Sequence, residues 1–442
     1  MIPDPLDNSG MDRFFIVAVL AAGVVSGVTF HRDVEPILQA RCQGCHRAGE
    51  AAPMSLVSYA EARPWAKAIR AAVASGKMPP WFADKSVGHF TNDKSLTAKE
   101  RETLLAWVDQ GAAEGSPKDA PAAKEFASGW TIGTPDAVID MGVDFKVPAA
   151  GTVEYTYFIV KSPFKEDRWV EKAELRPGAR SVVHHIVLMS RVEGSAFHKE
   201  AQPGAPFVPK RRKISNPPPD SGRGALNLDG AMEVVSVYVP GGDAYATKPG
   251  QARLIKAGSD LVFQMHYTAS GKEAIDRSQV GFIFAKEPPK ERVVNTFVSN
   301  LNLRIPPGAA NHRVDARVKI EHDVTLQSMF PHSHLRGHSW EYAVTYPDGR
   351  EETLLRVPKY DFNWQMTYFM EKPIVLPKGS VLRTTAWFDN SPNNPSNPDP
   401  KAEVFWGDQS WEEMVAGFVD FVIPVGDDPL KLLPPKKAKA GD

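Results

Sequence analysis

Both cysteines of this 442-residue chain fall in one pentapeptide, Cys42-Gln43-Gly44-Cys45-His46. Whatever they do, they do together, and no disulfide can tie the remaining sequence. The rest of the molecule must be held by packing or by metal ligands. C-x-x-C-H is the pattern of covalent c-type haem attachment. Two thiols three positions apart form thioethers to the two vinyl groups of one haem, and the adjacent His46 reaches the iron from the proximal side. A zinc site needs further Cys or His at ligand spacing, and a redox C-x-x-C needs no following His. The expectation is one covalent haem c, held by Cys42, Cys45 and His46, and one-electron transfer.

The length exceeds what one small core can use, and about three domains is the natural expectation. A net charge of −1 leaves no electrostatic footprint for nucleic acid. The 38 prolines, set among aromatic and β-branched residues, point to many short strands joined by turns. Residues 1–27 read as an export signal: Met11-Asp12-Arg13, the apolar run from Phe14 to Val25, then Ser26-Gly27. The ten residues before Met11 fit a signal poorly, so Met11 is the alternative start. The apolar run is short for a membrane span. The mature chain is therefore expected to be periplasmic or otherwise exported from a bacterium, without a membrane span, and to meet a periplasmic electron donor.

Residues 29–115 read as helical. Asp33–Ala40 leads into the haem motif, and Tyr59–Ser75 is Ala-rich with helical apolar spacing. Thr97 and Glu100 open a third helix with a capping-box pattern, and Leu104, Leu105 and Val108 share its face. Helices around a haem give a small all-α domain of the class I cytochrome c kind. The sixth iron ligand is expected from a later loop, and Met78, on the Pro-stiffened turn Lys77-Met78-Pro79-Pro80-Trp81, is the leading candidate. Met54 and His89 are its rivals. Residues 116–130 are rich in Ala, Pro, Gly and charge and read as a linker. Beyond them the texture is that of two antiparallel β-sandwiches, 131–286 and 287–430, with a break at Lys286–Glu291 and a flexible tail at 431–442. The stretch from about 191 to 233 lacks periodicity and reads as a long loop, and its basic cluster at 209–213 reads as solvated.

Of the 12 histidines, five stand out in the β region. His184-His185 is a tandem pair in an apolar strand, His266 sits in Gln264-Met265-His266-Tyr267, and His332-Ser333-His334 is an H-x-H pair. Strand alternation sends both imidazoles of an H-x-H pair to one face, which suits one metal. A tandem pair points to opposite faces, so both rings can reach one ion only where a bulge or strand end breaks the alternation. A further His from a neighbouring strand would complete a three-nitrogen site. Imidazole suits copper and zinc, and a thioether such as that of Met414, in Trp411-Glu412-Glu413-Met414, selects copper. His31, His89, His198, His312, His322 and His338 read as ordinary residues.

The order H-H, Q-x-H-Y, H-x-H and a late E-M resembles the copper type II, ascorbate-dependent monooxygenases, the family of peptidylglycine α-hydroxylating and dopamine β-monooxygenases. Phe388-Asp389-Asn390-Ser391, Asn393-Asn394-Pro395, Asn397-Pro398-Asp399-Pro400 and Trp406-Gly407 support it over roughly residues 130–425. The resemblance implies two β-sandwiches with one copper each. His184, His185 and His266 would hold an electron-transfer copper, and His332, His334 and Met414 the catalytic, O2-binding copper. It implies hydroxylation of a C–H bond of a small-molecule substrate. The two extra electrons would pass from the donor through the haem and the three-His copper. The chain departs from the family in lacking disulfides and in carrying the haem segment. Where the peptide-hydroxylating member grips a carboxylate with Arg, Asn and Tyr, this chain has Phe330, Ala416 and Phe418, which points to an apolar or uncharged substrate. Two other readings stay open: a non-catalytic periplasmic electron-transfer or copper-binding protein, and a zinc hydrolase, against which Met414 argues.

Overall fold

The computed structural model describes residues 1, 27–50, 52–126, 129–195, 197–209, 225–226 and 232–432. The expected export signal except Met1 and Gly27, the basic cluster except Pro209, and the tail beyond Leu432 lie outside the described residues. Among the described residues no helix is long and apolar enough to cross a membrane.

Among the described residues the chain is mostly β-sheet, with helices confined to the N-terminal segment and short turns. A π-helical turn, Phe30–Val34, runs into helix Glu35–Arg41. Tyr59–Ala62, Arg63–Trp65 and Ala66–Ala74 follow one another where one helix is expected, and Pro64 opens the middle turn. Helix Ala98–Asp109 begins with the expected capping box: Thr97 Oγ1 accepts from Glu100 N, and the Glu100 carboxylate accepts from Thr97 N. Its buried face is centred on Leu104 and Trp107, with Leu105 and Val108 on its flank. These residues pack on Phe30, Val34 and Leu38, all fully buried.

From residue 137 the chain builds sheets. A five-stranded sheet has the order Pro206–Phe207, Thr156–Lys161, Asp260–Tyr267, Val183–Arg191, Met232–Tyr238. One face of it, with Phe158, Ile186, Leu188 and Phe263, packs on Val170, Ala173 and Phe282 of a longer sheet. That longer sheet runs Ala137–Asp140, Gln279–Phe284, Arg168–Arg176, Gln251–Ile255, Glu291–Ser299, Ala416–Pro424, Val324–His332, Tyr368–Leu376. A four-stranded sheet, His312–Lys319, Val381–Phe388, Gly337–Thr345, Glu351–Val357, covers its second half around Trp340, Tyr342, Phe388 and Phe421.

Two sandwiches therefore share one sheet. The strand after Lys286–Glu291 returns parallel to the first sandwich, pairing Gln251 with Glu291 and Ala252 with Arg292. The other face of the five-stranded sheet, with Tyr155, Tyr157, Met189 and Val262, turns toward Phe418 of the second sandwich. The stretch 191–233 is not wholly loop: Pro206–Phe207 adds an edge strand, and a regular strand starts at Met232.

The helical segment is docked on both sandwiches. Glu50 meets Arg180 at 2.6 Å, and Lys94 Nζ donates to Gly241 O at 2.7 Å. Thr91 N donates to Phe369 O, and Trp81 and Phe90 stack edge-on against Tyr368.

Candidate metal centres

His184, His185 and His266 come together. Strands Val183–Arg191 and Asp260–Tyr267 pair in register up to His266 opposite His185, and then Tyr267 pairs with Val183. His184 is the extra residue of a β-bulge, which is how both rings of a tandem pair reach one point. The Nδ1 atoms of His184 and His185 lie 3.2 Å apart, and those of His266 and His184 3.1 Å apart. Three nitrogens about 2.0–2.1 Å from one ion sit at about this mutual spacing. All three imidazoles are held below their ordinary pKa, chiefly by burial and, for His185 and His266, by the neighbouring imidazoles. As neutral imidazoles close together, the three could hold one metal ion.

The second group sits at the end of strand Val324–His332. Val324 and Leu326 face the core, a bulge at Gln327 shifts the phase, and Ser328, Phe330 and His332 then face the space between the sandwiches. The rings of His332 and His334 are 5.2 Å apart and nearly perpendicular. Each Nδ1 has an oxygen partner: Gln365 Oε1 at 2.5 Å for His332 and the Glu412 carbonyl at 3.1 Å for His334. A neutral imidazole that donates from Nδ1 presents its lone pair at Nε2. Burial lowers His332 to about 4 and His334 to about 3, so both stay neutral near pH 7.

Glu413 assembles this group. Its fully buried carboxylate accepts from His334 N at 2.8 Å, Arg336 N at 2.6 Å and Met414 N at 3.3 Å. One side chain thus ties the backbone of the H-x-H segment to that of the methionine loop. Burial raises its carboxyl to about 7 against those bonds. Met414 and His332 line the same cavity, of about 250 Å³, somewhat below the usual range of small-molecule sites.

Two aromatic side chains stand between the groups. Tyr155 stacks on His266 at 4.6 Å and lies 6.0 Å from His334. Phe362 lies 5.4 Å from His266 and 6.1 Å from His334. Tyr155, Phe362, Gln365 and Glu413 were not singled out in the sequence. Only Glu413 carried a signal, as the acid beside Met414.

In the helical segment, Cys45 N and His46 N both donate to Cys42 O. One helical turn gathers Cys42, Cys45 and His46. Burial pushes the Cys42 thiol up to about 12 and raises Cys45, the reverse of what a reactive dithiol needs. Cys45, Pro79 and Pro80 line the cavity that also holds His332 and Met414. Met78 is half-buried beside those prolines. Met54 packs with Cys42 against the helical core, and His89 is exposed on the segment that joins Tyr368–Leu376.

No family model matches the chain, and no curated protein matches it in sequence. Among solved structures it is similar to the major capsid protein P2 of bacteriophage PM2 at 10% identity and a TM-score of 0.24, over 65% of this chain and 98% of that one. A structure of the infectious bursal disease virus Gx strain is similar at 9% identity and a TM-score of 0.19, over 67% and 73%. Likeness this slight carries no argument about fold or function.

Proposed function

We propose that the chain is an exported haem c–dicopper monooxygenase that hydroxylates a C–H bond of a small organic substrate with O2. The observation that carries this is the pairing of two unlike ligand sets across Tyr155 and Phe362. One set has three nitrogens, and the other has two nitrogens and a nearby thioether beside a cavity. A hydrolase has no use for the second. The reaction consumes one C–H bond, O2, two electrons and two protons, and yields an alcohol and water. Bound haem would supply electrons one at a time, and bound copper would accept them and activate O2.

The residues fit those groups. His184, His185 and His266 would hold one copper, and His332, His334 and Met414 the other. Cys42 and Cys45 would carry the haem of a class I cytochrome c domain at 29–115, and His46 and Met78 would supply its iron ligands. Gln365 and the Glu412 carbonyl hold the two imidazoles in the ligating tautomer. Phe330 and Phe418 wall the cavity with apolar surface and keep water away from the reacting carbon.

Metal analysis tests the ligand sets. The purified protein is expected to hold two coppers. His184→Ala with His266→Ala should remove one and His332→Ala the other, leaving the haem absorbance unchanged. Zinc in both sites, or no substrate-dependent O2 uptake by the reduced loaded protein across a substrate panel, would exclude the proposal. Replacing His46 should abolish turnover with a cytochrome reductant and spare a chemical one.

A further inference from the structure

The two histidine groups stand on different sheets. His184, His185 and His266 belong to the five-stranded sheet, and His332 ends a strand of the longer one. One segment of the second sandwich touches both. It runs from Tyr360 to Gln365, between strands Glu351–Val357 and Tyr368–Leu376. Its conformation is set locally. Asp361 Oδ1 accepts from Asn363 N at 2.9 Å and from Asn363 Nδ2 at 3.0 Å, and Asp361 O accepts from Trp364 N at 2.9 Å. An aspartate that accepts from the backbone two residues on is a common way to fix a turn. Tyr360 N donates to His338 O at 2.8 Å, which roots the turn on strand Gly337–Thr345.

Three side chains of this turn reach the histidine groups. The Phe362 ring lies nearly parallel to that of His184, at 5.6 Å and 19°, and 5.4 Å from that of His266. Gln365 Oε1 meets His332 Nδ1 at 2.5 Å, and Gln365 Nε2 donates to Phe362 O at 3.2 Å. Tyr360 Oη donates to Ser333 O at 2.6 Å and accepts from Ser333 N at 3.1 Å, which fixes the residue between His332 and His334. An unbroken chain of contacts thus runs from His184 through the ring and carbonyl of Phe362 to Gln365, and on to His332.

We infer that Phe362 is a positioning residue that couples the two groups, so that metal in the three-His group tightens metal binding by His332, His334 and Met414. The inference rests on the reading that both groups bind metal, and not on the reaction they carry out. His184 Nδ1 stands within 3.2 Å of the Nδ1 atoms of both His185 and His266. Without a cation it has a single hydrogen or a single lone pair to share between them, so one of the two contacts stays unpaired. A bound ion removes that conflict and fixes the His184 ring, on which Phe362 stacks. With Phe362 seated, its carbonyl holds Gln365 where it meets His332, and the second group is already oriented for its ion. Coupling of this kind is reciprocal between binding sites and commonly amounts to about 5- to 150-fold in affinity.

The test is titration of the full chain, stripped of copper, with Cu(I) against a coloured competing chelator. The affinity of the His332–His334–Met414 group is compared among the natural chain, Phe362→Ala, His184→Ala with His266→Ala, and all three changes together. Phe362→Ala and the paired histidine change are each expected to weaken it at least about fivefold. The combined variant should lose no more than either, because each change cuts the same link. A side chain that merely braced the fold would give losses that multiply. Multiplying losses, an unchanged affinity in a folded Phe362→Ala protein, or an unchanged affinity without the three-His group overturns the inference. Should Phe362→Ala fail to fold, Gln365→Ala, which cuts the chain at its next member, takes its place with the same expectations. No copper at either group would overturn both the coupling and the metal reading. Two coppers bound without coupling would sink the coupling alone. Coupling without substrate-dependent O2 uptake would sink the monooxygenase reading alone.

Discussion

Glu413 illustrates how much of a site can rest on one side chain that is not itself a ligand. Its carboxylate takes three backbone N–H groups from two segments nearly eighty positions apart in sequence. Glutamine has the same size but one acceptor oxygen fewer, so Glu413→Gln leaves at least one of those donors facing an amide N–H2. The expected cost is about 1–3 kcal/mol of stability. Copper affinity at His332, His334 and Met414 should fall about 10- to 100-fold, the usual cost of losing a group that positions ligands. The three-His site should keep its affinity, because none of its ligands touches Glu413. Chemical denaturation and a two-site copper titration measure both effects. Equal weakening of the two sites would show a general loosening instead. The acid was visible in the sequence as the neighbour of Met414, but its function was not, since nothing local to Glu413 encodes His334 and Arg336.

At the scale of elements, both histidine groups depend on a break in strand alternation. The first break was legible, because a tandem pair cannot reach one ion from a regular strand, and the bulge at His184 supplies it. The second, at Gln327, was not. Ser328, Phe330 and His332 read in phase with Leu326, and only the pairing with Asp420 moves them off the core face. The capping box at Thr97 was legible because its two bonds are three residues apart. The shared sheet was not, because the partner of Glu291 lies forty residues back. The register of the three-His strands is held at its far end by Asp260, which meets Arg191 at 2.6 Å and Lys161 at 2.8 Å. Burial alone would raise the Asp260 carboxyl, but these two cations hold it below its ordinary value. Because the folded value lies below the unfolded value of about 3.9, the contribution is complete above about pH 5 and fades as the pH falls through the folded value. Asp260→Asn leaves the buried Arg191 without its counter-charge and should cost about 3 kcal/mol at pH 7. In urea titrations the gap between the two proteins should narrow at pH 3. A gap independent of pH would mean that the pair holds the register by shape rather than by charge.

At the scale of the molecule, the question is whether the helical segment is carried by the sandwiches or merely tethered to them. The bonds from Glu50, Thr91 and Lys94 and the aromatic contacts of Trp81 argue for a fixed seat. The cysteine turn itself meets the sandwiches closely at Gly241. Its φ of +74° suits glycine, and a Cβ there would collide with Cys45 Sγ. Gly250 provides the control: its φ is +81°, and nothing lies within 4 Å of where its Cβ would be. Alanine at either position carries the backbone cost of a left-handed residue, about 1–2 kcal/mol. Only Gly241→Ala must also push the cysteine turn off its seat, which should add about 1–3 kcal/mol of overpacking. The expected result is a lower melting temperature for Gly241→Ala than for Gly250→Ala, with faster proteolysis between residues 112 and 130 in the first alone. Such a difference would mean that the cysteine turn and the histidine-bearing sheets form one rigid unit. The separation between the proposed redox groups would then be set by the fold and not by the reach of a linker. If the two variants melt alike, the Cys45–Gly241 approach bears no strain, and the helical segment is free to leave the cleft it lines.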